Sequence, residues 1–249
     1  MYNKLEDITS TGNTTPSHME KWGKVKVIIF DADDTLWDCQ SHFDQVEKVM
    51  HNEVSKWCNA EDAHKMLIET ETRNVPLTGF GCKAFTLSLI ETAIKASHGE
   101  IDAERIDHLI KCGYSLLEIP VKPLPGVRDT LEELNGYRRV VFTKGDLRDQ
   151  ANKLKRSGLE PFFEHIEITS DKSKEDYVNL CRKLNVIPEE AIMVGNSFKS
   201  DIAPALEAGM KAVYIPFDVV WQLEHSDEYL HPNLIKIKHF KQLAEIMNS

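Results

Sequence analysis

The 249-residue chain has no uninterrupted apolar run long enough to cross a bilayer, so no membrane span is expected. Nor is there an excess of basic charge: 30 Lys and Arg stand against 40 Asp and Glu, a formal net charge of −10. That balance repels a polyphosphate backbone and argues against nucleic acid as a partner. The five cysteines, Cys39, Cys58, Cys82, Cys112 and Cys181, are odd in number and widely spaced, without CxxC or zinc-ligand spacing. Reduced thiols in a cytosol fit that pattern. The ten histidines include no HExxH and no close metal-binding pair, so packing and surface roles are expected of them. The opening residues lack the basic start and apolar stretch of a signal peptide, and their polar composition reads as a flexible tail over residues 1–22. No internal repeat or low-complexity tract follows. With 41% hydrophobic and 28% charged residues, the remainder is ordinary globular sequence, long enough to bury a sizeable core.

Short runs rich in Val and Ile recur at Val25 to Phe30, Arg139 to Phe142, His165 to Ile168, Ala191 to Val194 and Ala212 to Ile215, each too short for a helix. They read as buried strands. Amphipathic helical stretches lie between them, near Val127 to Asn135, Leu147 to Arg156, Lys174 to Leu184 and Ser200 to Ala208, with Gly136, Gly158 and Gly209 as closing signals. Such alternation predicts an α/β fold with a doubly wound parallel sheet. One interval breaks the rhythm. From Cys39 to about Ile119 no comparable strand appears, and helical spacing marks Phe43 to Trp57, Phe85 to Ile94 and Ile106 to Leu117, with Pro76 and Thr78-Gly79-Phe80-Gly81 as separators. A helical insertion over 39–119 follows, carried by a core of 23–38 and 120–249.

The first strand runs into Asp31-Ala32-Asp33-Asp34-Thr35-Leu36-Trp37. Three acids in four residues after a buried run are costly in a packed interior unless they meet solvent, a metal or hydrogen-bond donors. They mark the carboxyl edge of the sheet, where open parallel sheets bind ligands. The second strand ends in Thr143-Lys144-Gly145, which offers a hydroxyl, a cation and a glycine N–H able to approach an anion. The third leads to Lys172 and Lys174, and the fourth to Gly195-Asn196-Ser197 with Asp201 beyond. Carboxylates suited to a hard cation, ringed by hydroxyl, ammonium and backbone donors, are what phosphoryl transfer requires.

Four motifs in this order, each closing a strand, resemble those of the haloacid dehalogenase-like hydrolase superfamily. The resemblance covers nearly everything after the tail and implies a Rossmann-like core with a helical cap that opens and closes. It implies a magnesium-dependent phosphatase acting on a small phosphorylated metabolite, with Asp31 as nucleophile and Asp33 as general acid/base. Thr143 would hold the phosphoryl group, helped by Lys144 and Gly145. Lys172, by its spacing before Tyr177, would be the phosphate-neutralising lysine, with Lys174 the other candidate. Asp31, the Asp33 carbonyl and Asp201 would hold Mg2+, and Asn196, standing where many members carry aspartate, would add a carbonyl oxygen. Lys83, in the glycine-containing cap stretch, is a candidate for reaching the substrate, against the ordinary role of a solvated lysine. Trp37 is assigned either to the entrance or to packing, Asp34 to capping the turn or facing solvent, and Trp221 and His225 to the rim of the crevice.

Asp33 argues against a dehalogenase, whose halide leaving group needs no acid. Phosphatase is therefore the leading expectation, with phosphomutase or phosphotransferase activity as the alternative and a non-catalytic ligand-binding member as the third.

Overall fold

The computed structural model describes residues 24–248, so the expected tail over 1–22 lies outside the described residues. Six strands form one parallel sheet: β1 (Val27–Phe30), β2 (Arg138–Lys144), β3 (His165–Thr169), β4 (Ala191–Gly195), β5 (Lys211–Tyr214) and β6 (Leu234–Lys236). Their order is β3-β2-β1-β4-β5-β6, which places β1 centrally between β2 and β4. Alternate residues of the central strands feed two different cores. Ile28, Phe30, Val141, Ile192 and Val194 join one cluster, whereas Val27, Ile29, Val140, Phe142 and Met193 join another. The period-2 alternation of side chains explains why a continuous apolar run such as Val27–Phe30 is needed, since both of its faces are buried.

The first cluster is covered by α5 (Val127–Glu133), α6 (Leu147–Ser157) and α9 (Lys241–Met247), through Leu131, Leu154 and Leu243. Tyr177 and Leu180 of α7 (Lys174–Lys183) and Ala205 of α8 (Ala203–Glu207) cover the second. The sixth strand, which the sequence reading did not mark, is three residues at the sheet edge with partial burial, too short for a hydrophobic run to announce it.

Between β1 and β2 the chain forms the helical cap: α1 (Gln40–Val54), α2 (Ala60–Thr78), α3 (Cys82–Ala96) and α4 (Ala103–Leu116). Helix α2 is not among those the periodicity marks, and Pro76 does not separate helices but sits inside α2. An exposed proline two residues from the end costs only one backbone hydrogen bond, to the carbonyl of exposed Thr72, so the helix continues to Gly79. The outgoing and returning linkers touch: Trp37 bridges Pro123, and Leu124 N–H donates to the Leu36 carbonyl at 2.8 Å. Among the described residues no helix is long and apolar enough to cross a membrane, and all five cysteines are unpaired.

Candidate active site

Three strand ends and the turn after β1 meet at one edge of the sheet. Asp31 follows β1 directly, its N–H donating to the Val194 carbonyl at 2.9 Å, which fixes it beside the end of β4. Its Oδ1 accepts from Lys172 Nζ at 2.5 Å, and the same ammonium donates to Asp201 Oδ1 at 2.6 Å. All three side chains are buried. Burial and the Asp201 charge push the Asp31 carboxyl up to about 7, although Lys172 opposes the shift. One ammonium between two buried carboxylates leaves a surplus of negative charge there. For Lys172 burial works against the charged form, but Asp201 and Asp31 outweigh it and hold the ammonium firmly protonated. Lys174 is exposed at the start of α7, so Lys172 is the lysine that reaches the carboxylates.

Gly195 shapes this corner. A Cβ there would lie 2.3 Å from Asp201 Oδ2 and 2.6 Å from Asp201 Cβ, so only glycine lets the carboxylate sit against β4. Asn196 Oδ1 lies 3.0 Å from Thr35 Oγ1, which is also 3.1 Å from Asp31 Oδ2, and Asn196 N–H donates back to the Thr35 oxygen. Thr35 thus ties Asn196 to Asp31. The sequence reading gave Thr35 no role, although it stands in the acidic turn.

Asp33 is held differently. Lys153 Nζ donates to its Oδ1 and Oδ2 at 2.8 and 2.6 Å, Trp37 Nε1 to Oδ1 at 2.7 Å, and Gln150 Nε2 to Oδ2 at 2.9 Å. Burial raises the Asp33 carboxyl, but Lys153 and these hydrogen bonds outweigh it and hold it below the usual carboxylate range. Trp37 is fully buried and so belongs to the support of Asp33 rather than to the entrance. Asp34, with a left-handed φ of 62°, turns its carboxylate onto the Cys39 and Gln40 N–H groups at 2.8 and 2.9 Å, at the start of α1.

Thr143 is buried and accepts from Gln150 Nε2 at 3.0 Å. The Gly145 N–H is engaged by the Thr169 carbonyl at 3.2 Å, so its expected availability to an anion is not met in this conformation; its φ of +138° still requires glycine. Lys144 turns to Glu224 Oε1 at 2.6 Å and Ser200 Oγ at 2.7 Å. Burial disfavours the Glu224 charge, yet Lys144, Ser197 and Ser200 hold its carboxyl below the usual range. Lys83 pairs with Asp146 at 2.7 Å, is more than half exposed and does not line the cavity.

These groups face a cavity of about 170 Å3 that cap and core line together. Trp221, in the loop after β5, closes one side: its Nε1 donates to Glu71 Oε2 of α2 at 3.1 Å, and its ring meets Phe80 edge-on at 5.9 Å. His225 does not line the cavity. Burial pushes the Glu71 carboxyl up to about 7; the indole bond and His64 oppose this, while Glu47 adds to it. A folded-state value above the usual 4.5 means the native state binds this proton more tightly than the unfolded chain. Glu71 therefore contributes stability below about pH 4.5 that is lost as pH rises through 7, up to about 3 kcal/mol. Glu71→Gln should remove that loss, and thermal melts of both proteins at pH 5 and pH 8 check it: the advantage of the variant should grow with pH.

Lys153, Gln150, Thr35 and Glu224 were missed by sequence reasoning. Nothing in the sequence marked the first two: the buried face of α6 carries the polar Asp149, Gln150, Lys153 and Ser157 where an amphipathic helix ordinarily carries apolar side chains, and only the structure shows it. Glu224 ends a three-residue 3-10 helix, Gln222–Glu224, too short to give a local signal.

Residues 25–209 match the family described as haloacid dehalogenase-like hydrolase. Two glyceraldehyde 3-phosphate phosphatases are similar to nearly the whole chain. That of Pyrococcus furiosus is 30% identical over 90% of this chain and 93% of its own length, and that of Methanothermobacter thermautotrophicus is 28% identical over 90% and 100%. A haloacid dehalogenase-like family hydrolase from Xanthomonas campestris superposes with a TM-score of 0.82 at 30% identity, covering 90% of this chain and 91% of that one. A putative hydrolase of the same superfamily from Bacillus subtilis, solved bound to magnesium, shares the fold at a TM-score of 0.65 and 18% identity, covering 90% and 99%. The two glyceraldehyde 3-phosphate phosphatases match nearly the whole chain, and the chain belongs to the haloacid dehalogenase-like hydrolase family.

Proposed function

We propose that the protein is a magnesium-dependent phosphatase that hydrolyses a small phosphorylated metabolite through an aspartyl phosphate on Asp31. The observation that carries this reading is the buried Asp31–Lys172–Asp201 set at the floor of a cavity roofed by the cap. Asp31 attacks phosphorus and the bond to the leaving oxygen breaks, with Asp33 supplying the proton that oxygen takes. Water then attacks the acyl phosphate, Asp33 accepts its proton, and inorganic phosphate leaves with Asp31 restored. Lys172 offsets charge on the transferring oxygens, and Thr143 orients them. As held here Asp33 is ionised, so to donate it must leave the grip of Lys153 and Trp37, take up a proton from solvent or from the incoming phosphate monoester, and turn toward the leaving oxygen.

The donor set suits Mg2+: Asp31, the Asp33 carbonyl, Asn196 and Asp201 offer only oxygens, and the Asp31 carboxyl, raised by burial and Asp201, shows negative charge that Lys172 alone does not offset. When bound, the ion supplies further charge neutralisation at the phosphate. Activity should vanish with chelator and return with magnesium. Because Asn196 contributes no charge, Asn196→Asp should lower the magnesium concentration giving half-maximal activity; a magnesium titration of both proteins measures it.

The substrate class follows from the lining. All its cations, Lys144, Lys153 and Lys172, belong to the core and are already paired with carboxylates. The cap contributes Glu47, Glu71 and the rings of Phe43, Phe80 and Phe85. A leaving group carrying hydroxyl or carbonyl groups and no second anion fits such a wall, as in a triose or sugar monophosphate. A panel of phosphate monoesters assayed with magnesium tests the reading. Phosphate release from neutral polyol or aldose monophosphates should exceed that from carboxylated ones, and transfer to a second sugar in place of release would indicate a mutase or transferase.

A further inference from the structure

Away from the strand ends, α1 and α2 bring together three groups that sequence spacing did not join. Glu47 and His51 are one helical turn apart on α1, and His64 faces them from α2. Glu47 Oε1 lies 3.0 Å from His51 Nε2 and 2.5 Å from His64 Nδ1, and one ligand atom from each of the three residues falls within 4.8 Å of the others. We propose that Glu47, His51 and His64 form a transition-metal site of the zinc class inside the cap, distinct from the all-oxygen magnesium position.

Two imidazole nitrogens and one carboxylate oxygen are borderline-soft ligands that suit Zn2+, Co2+ or Ni2+ and are ill matched to Mg2+. Tetrahedral bonds of about 2.0–2.1 Å place neighbouring ligand atoms roughly 3.3 Å apart, so binding would open the 2.5 Å contact of Glu47 with His64 and the 3.0 Å contact with His51 to about that spacing. A second observation concerns His51. Its Nε2 is sealed from solvent and has no hydrogen-bond partner, although Glu47 lies near enough to be one. A buried nitrogen with an unused lone pair or proton is costly in an ordinary packing role, and a cation would satisfy it. The ion would staple α1 to α2 in the wall of the cavity, since Glu47 also lines that space.

The test uses the full chain in excess magnesium, which occupies the all-oxygen position, and titrates Co2+. One equivalent giving the intense visible bands of a tetrahedral nitrogen- and oxygen-ligated ion, displaced by Zn2+, is expected. His51→Ala and His64→Ala should each abolish those bands, whereas Asp201→Asn should leave them. Only the weak bands of octahedral cobalt, bands that survive both histidine substitutions, or bands lost with Asp201→Asn would overturn the proposal and leave Glu47 as a carboxylate shared by two histidines. If the alanine variants do not fold, the imidazole NMR signals of the unsubstituted protein decide. Two histidines shifting stoichiometrically with Zn2+ support the site, and unchanged signals overturn it. Neither outcome depends on which phosphate ester the enzyme hydrolyses.

Discussion

Asp31→Asn should reduce turnover by at least about 10³-fold while leaving the protein no less stable than the unsubstituted chain in the absence of magnesium. The amide has the same shape, and its oxygen can still accept from Lys172, but it is a far poorer nucleophile toward phosphorus. The stability half follows from charge. Asp31 is raised to about 7 because its ionised form is disfavoured by burial and by Asp201. Removing that charge leaves Lys172 and Asp201 as a matched pair, and Thr35 can direct its single proton to Asn196. Steady-state assays and thermal melts in chelator measure the two halves separately. Activity near that of the unsubstituted enzyme would remove Asp31 from the nucleophilic role, and a large fall in melting temperature would mean the charge account is wrong. Asp33→Asn should also suppress turnover yet keep a carboxylate at Asp31, so trapping with beryllium fluoride should persist in that variant alone of the two.

Lys172→Met should both abolish turnover and destabilise the fold by about 3–5 kcal/mol, the range for leaving buried charge uncompensated. The methionine keeps most of the volume of the lysine stem, so packing changes little. What is lost is the ammonium that holds Asp31 and Asp201 together at 2.5 and 2.6 Å. Urea denaturation gives the loss directly. Added magnesium should recover part of the stability, because a divalent cation would replace one charge with two among the same oxygens, without restoring the phosphate contact proposed for Lys172. A variant as stable as the parent would show that the two carboxylates already share a proton.

The core of the fold was legible because its strands are short, apolar and fully buried, as at Val27–Phe30 and Ala191–Gly195, and because helices alternate with them. Edge strand β6 and helix α2 were not, for opposite reasons: three half-buried residues make no pattern, and Pro76 in the last turn imitated a break. At the candidate site the residues at strand ends were legible in the sequence: Thr143 is the penultimate residue of β2, Asp31 and Asn196 come directly after β1 and β4, and Lys172 and Asp201 follow within a few residues of β3 and β4. Those brought in by tertiary packing were overlooked. Lys153 reads as one more solvated helical lysine until its burial beside Asp33 is seen, and Glu224 arrives from a three-residue helix too short for periodicity. Lys83 shows the converse, a lysine in a suggestive glycine-containing stretch whose charge the structure commits to Asp146.

The contact between Trp37 and Asp33 has an optical consequence. Trp37 is buried in the linker to the cap with its indole N–H on the Asp33 carboxylate, while Trp221 spans from the core loop to Glu71 of the cap. Trp57 lies farther off, on the cap, with its N–H on exposed Glu100, and Trp22 falls outside the described residues. Indole emission responds to the charge and wetness around the ring. Two of the four tryptophans are therefore built-in chromophores, one on the carboxylate proposed to move the proton and one where cap meets core, so fluorescence lifetimes can follow both without any attached dye.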